Sequence, residues 1–179
     1  MQDVTIRRLV AADAAPYRAL MLDAYANHPE AFTSSAAERS TLPLAWWEAR
    51  LDPAPHPPMV VLGAFEQDLL VGTVGLDFES RIKARHKALL IGMMVAPASR
   101  GRGIGHGLVL AALAQARLRP GVVLVQLTVT ETNRQARTLY ERCGFVEFGV
   151  EPKAIVVDSV FVAKSHMWCD LRPPGAVGP

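Results

Sequence analysis

A chain of 179 residues has room for one domain of ordinary size, and with half of them hydrophobic and a fifth charged it carries enough apolar side chains for a core, which excludes disorder as its main state. The 19 Lys and Arg against 17 Asp and Glu leave a net charge of +2, too small by itself to call for nucleic acid or an anionic membrane as partner. Two cysteines without metal-like spacing, no apolar leader segment and no run of apolar residues long enough for a membrane span exclude a disulfide framework, a zinc site, a signal peptide and a transmembrane helix, so a soluble cytoplasmic protein is expected.

Residues 4–7 alternate apolar and polar like a short strand. Asp13 then reads as the N-cap of a helix whose positions Tyr17, Leu20, Met21 and Ala24 recur at helical spacing, with Pro16 in the tolerant first turn and His28-Pro29 as the stop. A shorter helix is predicted over 44–51, capped near Thr41, and the proline-rich run 52–58 is a loop. Residues 59–65 and 69–78 are β-rich runs joined by Glu66-Gln67-Asp68 as a hairpin. The strand over 87–95 is apolar on both faces and is therefore central. After a loop over 96–102, Ile104, Leu108, Ala111, Ala112 and Gln115 carry a helix that runs to residue 119 and ends at Pro120-Gly121. Residues 122–130 form another apolar strand, 133–142 a short helix closed by Gly144, 145–150 a strand, and 160–168 the last strand. This order, β-α-α-β-β-β-α-β-α-β-β, is a mixed α/β or α+β single domain over 1–171; the tail 172–179, with three prolines and two glycines, is expected to be disordered.

The stretch Arg100-Gly101-Arg102-Gly103-Ile104-Gly105-His106 lies between a buried strand and a helix, where backbone N–H groups meet the positive end of the helix dipole. Its glycines let an anion approach the backbone, and Arg100 and Arg102 add charged donors, so phosphate or pyrophosphate is the natural guest. No Lys-Ser/Thr pair follows for a nucleoside-triphosphate loop, and the sixth position of a G-x-G-x-x-G count falls on His106 or Leu108. Both nucleotide readings fail. The string instead fits R-x-x-G-x-G, and further along Asn133-Arg134-Gln135-Ala136-Arg137-Thr138-Leu139-Tyr140-Glu141-Arg142-Cys143-Gly144-Phe145 fits N-x-x-A-x-x-L-Y-x-x-x-G-F.

These two motifs, in this order and separated by one helix and one strand, resemble those of the GNAT superfamily of N-acetyltransferases. The likeness is sharpest over residues 86–150, and Pro29-Glu30-Ala31-Phe32 is also similar to an early substrate-side segment of the family. The resemblance implies a mixed, mostly antiparallel sheet of about seven strands, splayed between the fourth and fifth and flanked by about four helices. It implies acetyl-CoA as cosubstrate: the backbone of Met93 and Val95 along the pantetheine; Arg100, Gly101, Arg102, Gly103, Ile104, Gly105 and His106 on the pyrophosphate; Asn133 on the pantetheine or as a helix cap; and Tyr140 near the sulfur as general acid, or simply packed on the sheet. An amine acceptor is implied as partner, a homodimer is common in the family, and no nucleic acid, membrane or metal is called for. His86 and His106 have no metal-like partners, and Cys143 has no histidine motif that would make it a nucleophile.

Many relatives carry a glutamate on the fourth strand as base, whereas residues 88–94 contain no carboxylate. Glu79, Glu30, or backbone carbonyls with a water chain remain as candidates, and a non-catalytic acyl-CoA-binding or sensing domain remains as the alternative function. Trp46 and Trp47 fall in the region that would wall the acceptor pocket. Between Ser80 and Thr130 lie eight of the basic residues and no acidic one, which suits a phosphate-bearing cosubstrate there and a cationic acceptor on the acidic remainder.

Overall fold

In the computed structural model, which describes residues 4–172, the two-residue alternation of the strands sorts their side chains onto two faces of one sheet. Strands β1 (Val4–Arg8), β2 (Met59–Glu66), β3 (Leu69–Phe78), β4 (Lys87–Val95), β5 (Leu124–Thr130), β6 (Val146–Val157) and β7 (Val160–Asp170) lie in the order β1-β2-β3-β4-β5-β7-β6. Every neighbouring pair is antiparallel except β4 and β5, which are parallel. The helices are α1 (Ala14–Asn27), α2 (Ala36–Ser40), α3 (Leu44–Ala49), α4 (Ile104–Arg117) and α5 (Arg134–Arg142). The doubly apolar β4 is indeed central, and the sheet has the expected fold class.

Each face has its own core. Val60, Leu62, Val74 and Leu76 pack with Leu108, Val109, Ala112 and Ala116 of α4, while Val61, Phe65 and Leu70 pack on the other face with Tyr17, Met21 and Ala24 of α1 and with Trp47. Leu108, Val109, Ala112 and Ala116 are fully buried, because that face of α4 lies flat on the sheet.

The parallel seam is short. β4 and β5 pair only through Lys87–Leu124, Ala88–Val125 and Leu89–Gln126. On its other edge β4 is bulged: Thr73 opposes Met94 and Gly75 opposes Ile91, so Gly92 and Met93 stand against a single residue of β3. Gly92 takes the left-handed φ of +57° that this requires, and the buried Thr73 hydroxyl donates to its carbonyl at 3.0 Å. A bulge bends its strand and sharpens the local twist, which turns the second half of β4 away from β5.

Three local expectations are corrected. Asp13 does not cap α1 with its side chain; it closes a 3-10 turn over Ala11–Asp13, accepting from the Val10 N–H at 2.8 Å and from two nitrogens of Arg7, each at 2.8 Å. Its backbone is already helical there, and the Arg7 guanidinium holds the carboxyl below its usual range. Thr41 ends α2 by donating to Glu38 O at 2.8 Å, while α2 opens on a Ser35–Glu38 capping box and α3 opens at Pro43. The strand expected over 145–150 runs on as β6 to Val157 and turns into β7 through Asp158 and Ser159, whose φ values of +46° and +67° make a primed two-residue hairpin turn. The tail beyond Arg172 lies outside the described residues.

Gly92→Val is expected to destabilise the fold by roughly 1–2 kcal/mol in urea unfolding, because a β-branched residue resists the left-handed bulge conformation. Gly149→Val, at an ordinary φ with open space around its Cβ, serves as the near-neutral comparison.

Candidate active site

Where β4 and β5 part, the gap between them opens into a cleft of about 1140 Å³. Its walls are Leu89–Val95 of β4, Thr128–Thr130 of β5, the turn entering α4, and α5. At the far end of β4, Gly101 and Gly103 take φ of +75° and +80°, and nothing lies within 4 Å of the place where a Cβ would stand on either. No side chain caps the α4 N-terminus at Gly103, so its first-turn N–H groups have no side-chain acceptor. Gly105 is a position of close approach instead: a Cβ there would come within 3.2 Å of Met93 and 3.3 Å of Leu139.

Met93, Val95, Arg100, Gly101, Gly103, Ile104, Gly105, His106, Asn133 and Tyr140 all line this one cleft. Arg102 does not; its guanidinium pairs with Glu66 at the β2–β3 hairpin and pins the turn from behind. Arg100 bends back so that Nε donates to Val95 O at 2.9 Å, and its terminal nitrogen lies 3.0 Å from Nε2 of His28, just past the end of α1. Asn133 caps α5, accepting from the Ala136 N–H at 3.0 Å, and still faces the cleft, so the two roles considered for it are compatible.

Tyr140 is 6 % exposed and packs edge-on to Phe145, with ring centres 5.8 Å apart. Its hydroxyl has no hydrogen-bond partner among the described residues. Burial, with Cys143 beside it, pushes the phenol well above its ordinary value, so it carries its proton at neutral pH and is available as a donor.

Of the two carboxylates considered as base, Glu79 lies outside the cleft, and hydrogen bonds from the Arg81 guanidinium and N–H hold it down to about 2. Glu30 does line the cleft. It sits in a 3-10 turn, Pro29–Ala31, fastened at two points: Thr130 Oγ1 donates to Glu30 O at 2.6 Å, and Lys164 Nζ donates to Ala31 O at 3.0 Å. Lys164 is 3 % exposed, and burial lowers its pKa while Glu30 works the other way.

The acidic acceptor side expected from the charge distribution is not there. Among the described lining residues Glu30 is the sole carboxylate, against Arg39, Arg50, Arg100, Arg134, Arg142 and Lys164. Reading the sequence missed most of these cations, although Lys164, the one charge within the apolar strand predicted over 160–168, was a visible signal.

A glycine turn opening a helix off a bulged strand, beside a strand pair that parts in mid-sheet, defines an acetyltransferase architecture. The chain matches the model of the acetyltransferase (GNAT) family over residues 18–145 and belongs to that family. An acetyltransferase of the GNAT family from Streptococcus pneumoniae has the same fold, with a TM-score of 0.85 at 22% identity over 94% of this chain and 99% of that one. So does a putative acetyltransferase from Salmonella typhimurium solved with its cofactor acetyl-CoA, at a TM-score of 0.78 and 24% identity over 98% of each chain. A mycothiol acetyltransferase from Streptosporangium roseum is 44% identical over 57 residues, which are 32% of this chain and 17% of that relative's length.

Thr130→Val is expected to leave the Glu30 carbonyl without its donor and to lower stability by about 1–3 kcal/mol in urea unfolding, with the loss concentrated in faster amide exchange around the Pro29–Ala31 turn.

Proposed function

We propose that the protein is an acetyl-CoA-dependent N-acetyltransferase that passes the acetyl group directly to a primary amine. The observation that carries this reading is the presence in one cleft of a glycine turn open to an anion and a largely buried tyrosine whose hydroxyl has no partner among the described residues. The residues fit the cosubstrate: side chains at Gly101 or Gly103 would fill the space that the turn leaves open, and the half of β4 beyond Leu89 offers β5 no pairing and so keeps backbone groups for a ligand. In this reading the turn and the α4 N-terminus hold the pyrophosphate, with Arg100 beside it, and Met93 and Val95 hold the pantetheine arm.

Acetyl-CoA, when bound, supplies the acyl group as a thioester open to attack by an amine. The chain's own part is to orient, to exclude water and to manage protons. Tyr140, kept protonated by burial, holds a proton ready for a departing thiolate. Glu30 is the carboxylate within the cleft that can receive the amine's proton, directly or through water, while Lys164 and Thr130 hold its backbone in place. The buried thiols Cys143 and Cys169 are both free, which suits work in a reducing cytoplasm.

Tyr140→Phe keeps the packing on Phe145 and removes only the hydroxyl. Thiol release from acetyl-CoA should show kcat falling about 100-fold with the KM for acetyl-CoA nearly unchanged; an unchanged kcat would take Tyr140 out of the chemistry. Gly103→Val places a branched side chain in the open cradle and should weaken CoA binding at least about tenfold by calorimetry while circular dichroism stays the same. Tight CoA binding with no thiol release for any amine would identify the non-catalytic acyl-CoA-binding alternative.

A further inference from the structure

The cleft contains a second cationic site that the glycine turn does not explain. Arg50 is close enough to Asp77 for its charge to act on that carboxylate, and Asp77 pairs with Leu89 at the near end of β4. Arg39 lies in α2 and Arg50 just past α3, so neither belongs to the glycine turn. Arg39 and Arg50 both line the cleft and both stack on one indole, each guanidinium carbon lying 4.7 Å from the centre of the Trp46 ring. The Nε atoms of both are buried and have no hydrogen-bond partner.

Neither arginine has an ion pair with the described residues. Arg39 donates to Ser34 Oγ at 2.7 Å, while the neighbouring Glu38 is committed to Ser35, whose N–H and hydroxyl lie 2.8 and 2.9 Å from its carboxylate. Asp77 is not within ion-pair distance of Arg50. Tyr25, half-buried, also lines the cleft, and its phenol feels both positive charges. Two like charges against one ring repel each other, and stacking on the indole holds them without neutralising them. Planar guanidiniums held rigid and left without a counter-charge in a cleft are the arrangement that recognises a carboxylate, phosphonate or similar oxyanion through paired N–H donors.

We propose that Arg39 and Arg50, backed by Trp46, form an oxyanion subsite for the acceptor, so that the amine acetylated here also carries a carboxylate or another oxyanion. The proposal rests on the acetyltransferase reading and names the substrate class of the same cleft. It replaces the cationic acceptor suggested by the distribution of charge along the sequence.

The test compares amines in matched pairs: amino acids against their carboxamides, and 2-aminoethylphosphonate against ethanolamine. Thiol release should favour the anionic member by at least about tenfold in kcat/KM. R39Q and R50Q should each raise the acceptor KM about tenfold while leaving the KM for acetyl-CoA unchanged, and R50K should recover part of the loss. Equal turnover within each pair, or an anionic preference that survives R39Q/R50Q, overturns the subsite. Calorimetry of the same probes on the CoA-saturated protein separates the two readings. Anion binding that depends on both arginines without turnover upholds the subsite and sinks the acetyltransferase reading, and equal heats for both members of every pair overturn the subsite.

Discussion

The parallel seam between β4 and β5 ends after Leu89 and Gln126, and the site depends on that termination. Had the pairing continued to Val95, the walls of the cleft would be zipped together and β4 would have no spare backbone groups. The bulge at Gly92 and Met93 works against such pairing by turning the strand a few residues beyond the end of the seam. The Thr73 hydroxyl then fixes the turned backbone from the neighbouring strand. Two cores, one on each face, make this interruption tolerable: α4 covers the sheet on one side and α1 with Trp47 on the other, so the open seam does not expose the interior.

Charge in the cleft follows a division of labour along its length. At the glycine turn the positive field comes mostly from backbone N–H groups and the α4 dipole, with Arg100 as an auxiliary and Arg102 committed to Glu66 behind. Elsewhere in the cleft it comes from side chains, Arg39 and Arg50, held by stacking on Trp46. Glu30 supplies the single negative group among the described lining residues, and Lys164 is turned aside to the Ala31 carbonyl. A lone carboxylate among so many cations leaves the cleft positive and attractive to anions.

The sequence made the glycine turn and the α5 motif legible because each is contiguous and each residue has a local geometric duty: Gly103 for a left-handed helix entry, Asn133 for a cap. What lay hidden was assembled from distant segments. Glu30, Thr130 and Lys164 meet only because the Pro29–Ala31 turn is tied to the end of β5 and to the middle of β7. Arg39 and Arg50 meet only across Trp46. The acid-free window between Ser80 and Thr130 pointed to a positive site but to the wrong cations, since of its eight basic residues Arg100 alone lines the cleft. The extension of β6 was obscured by Pro152, which falls where the β6–β7 register breaks between Glu151 and Ile155.

The contact between Arg100 and His28 joins two segments far apart in the sequence. A guanidinium can only donate, so in this contact Nε2 of His28 offers its lone pair. The segment just past α1 is thereby hydrogen-bonded to the arginine of the glycine turn. Through that contact, the wall of the cleft that follows α1 is tied to the turn that opens α4.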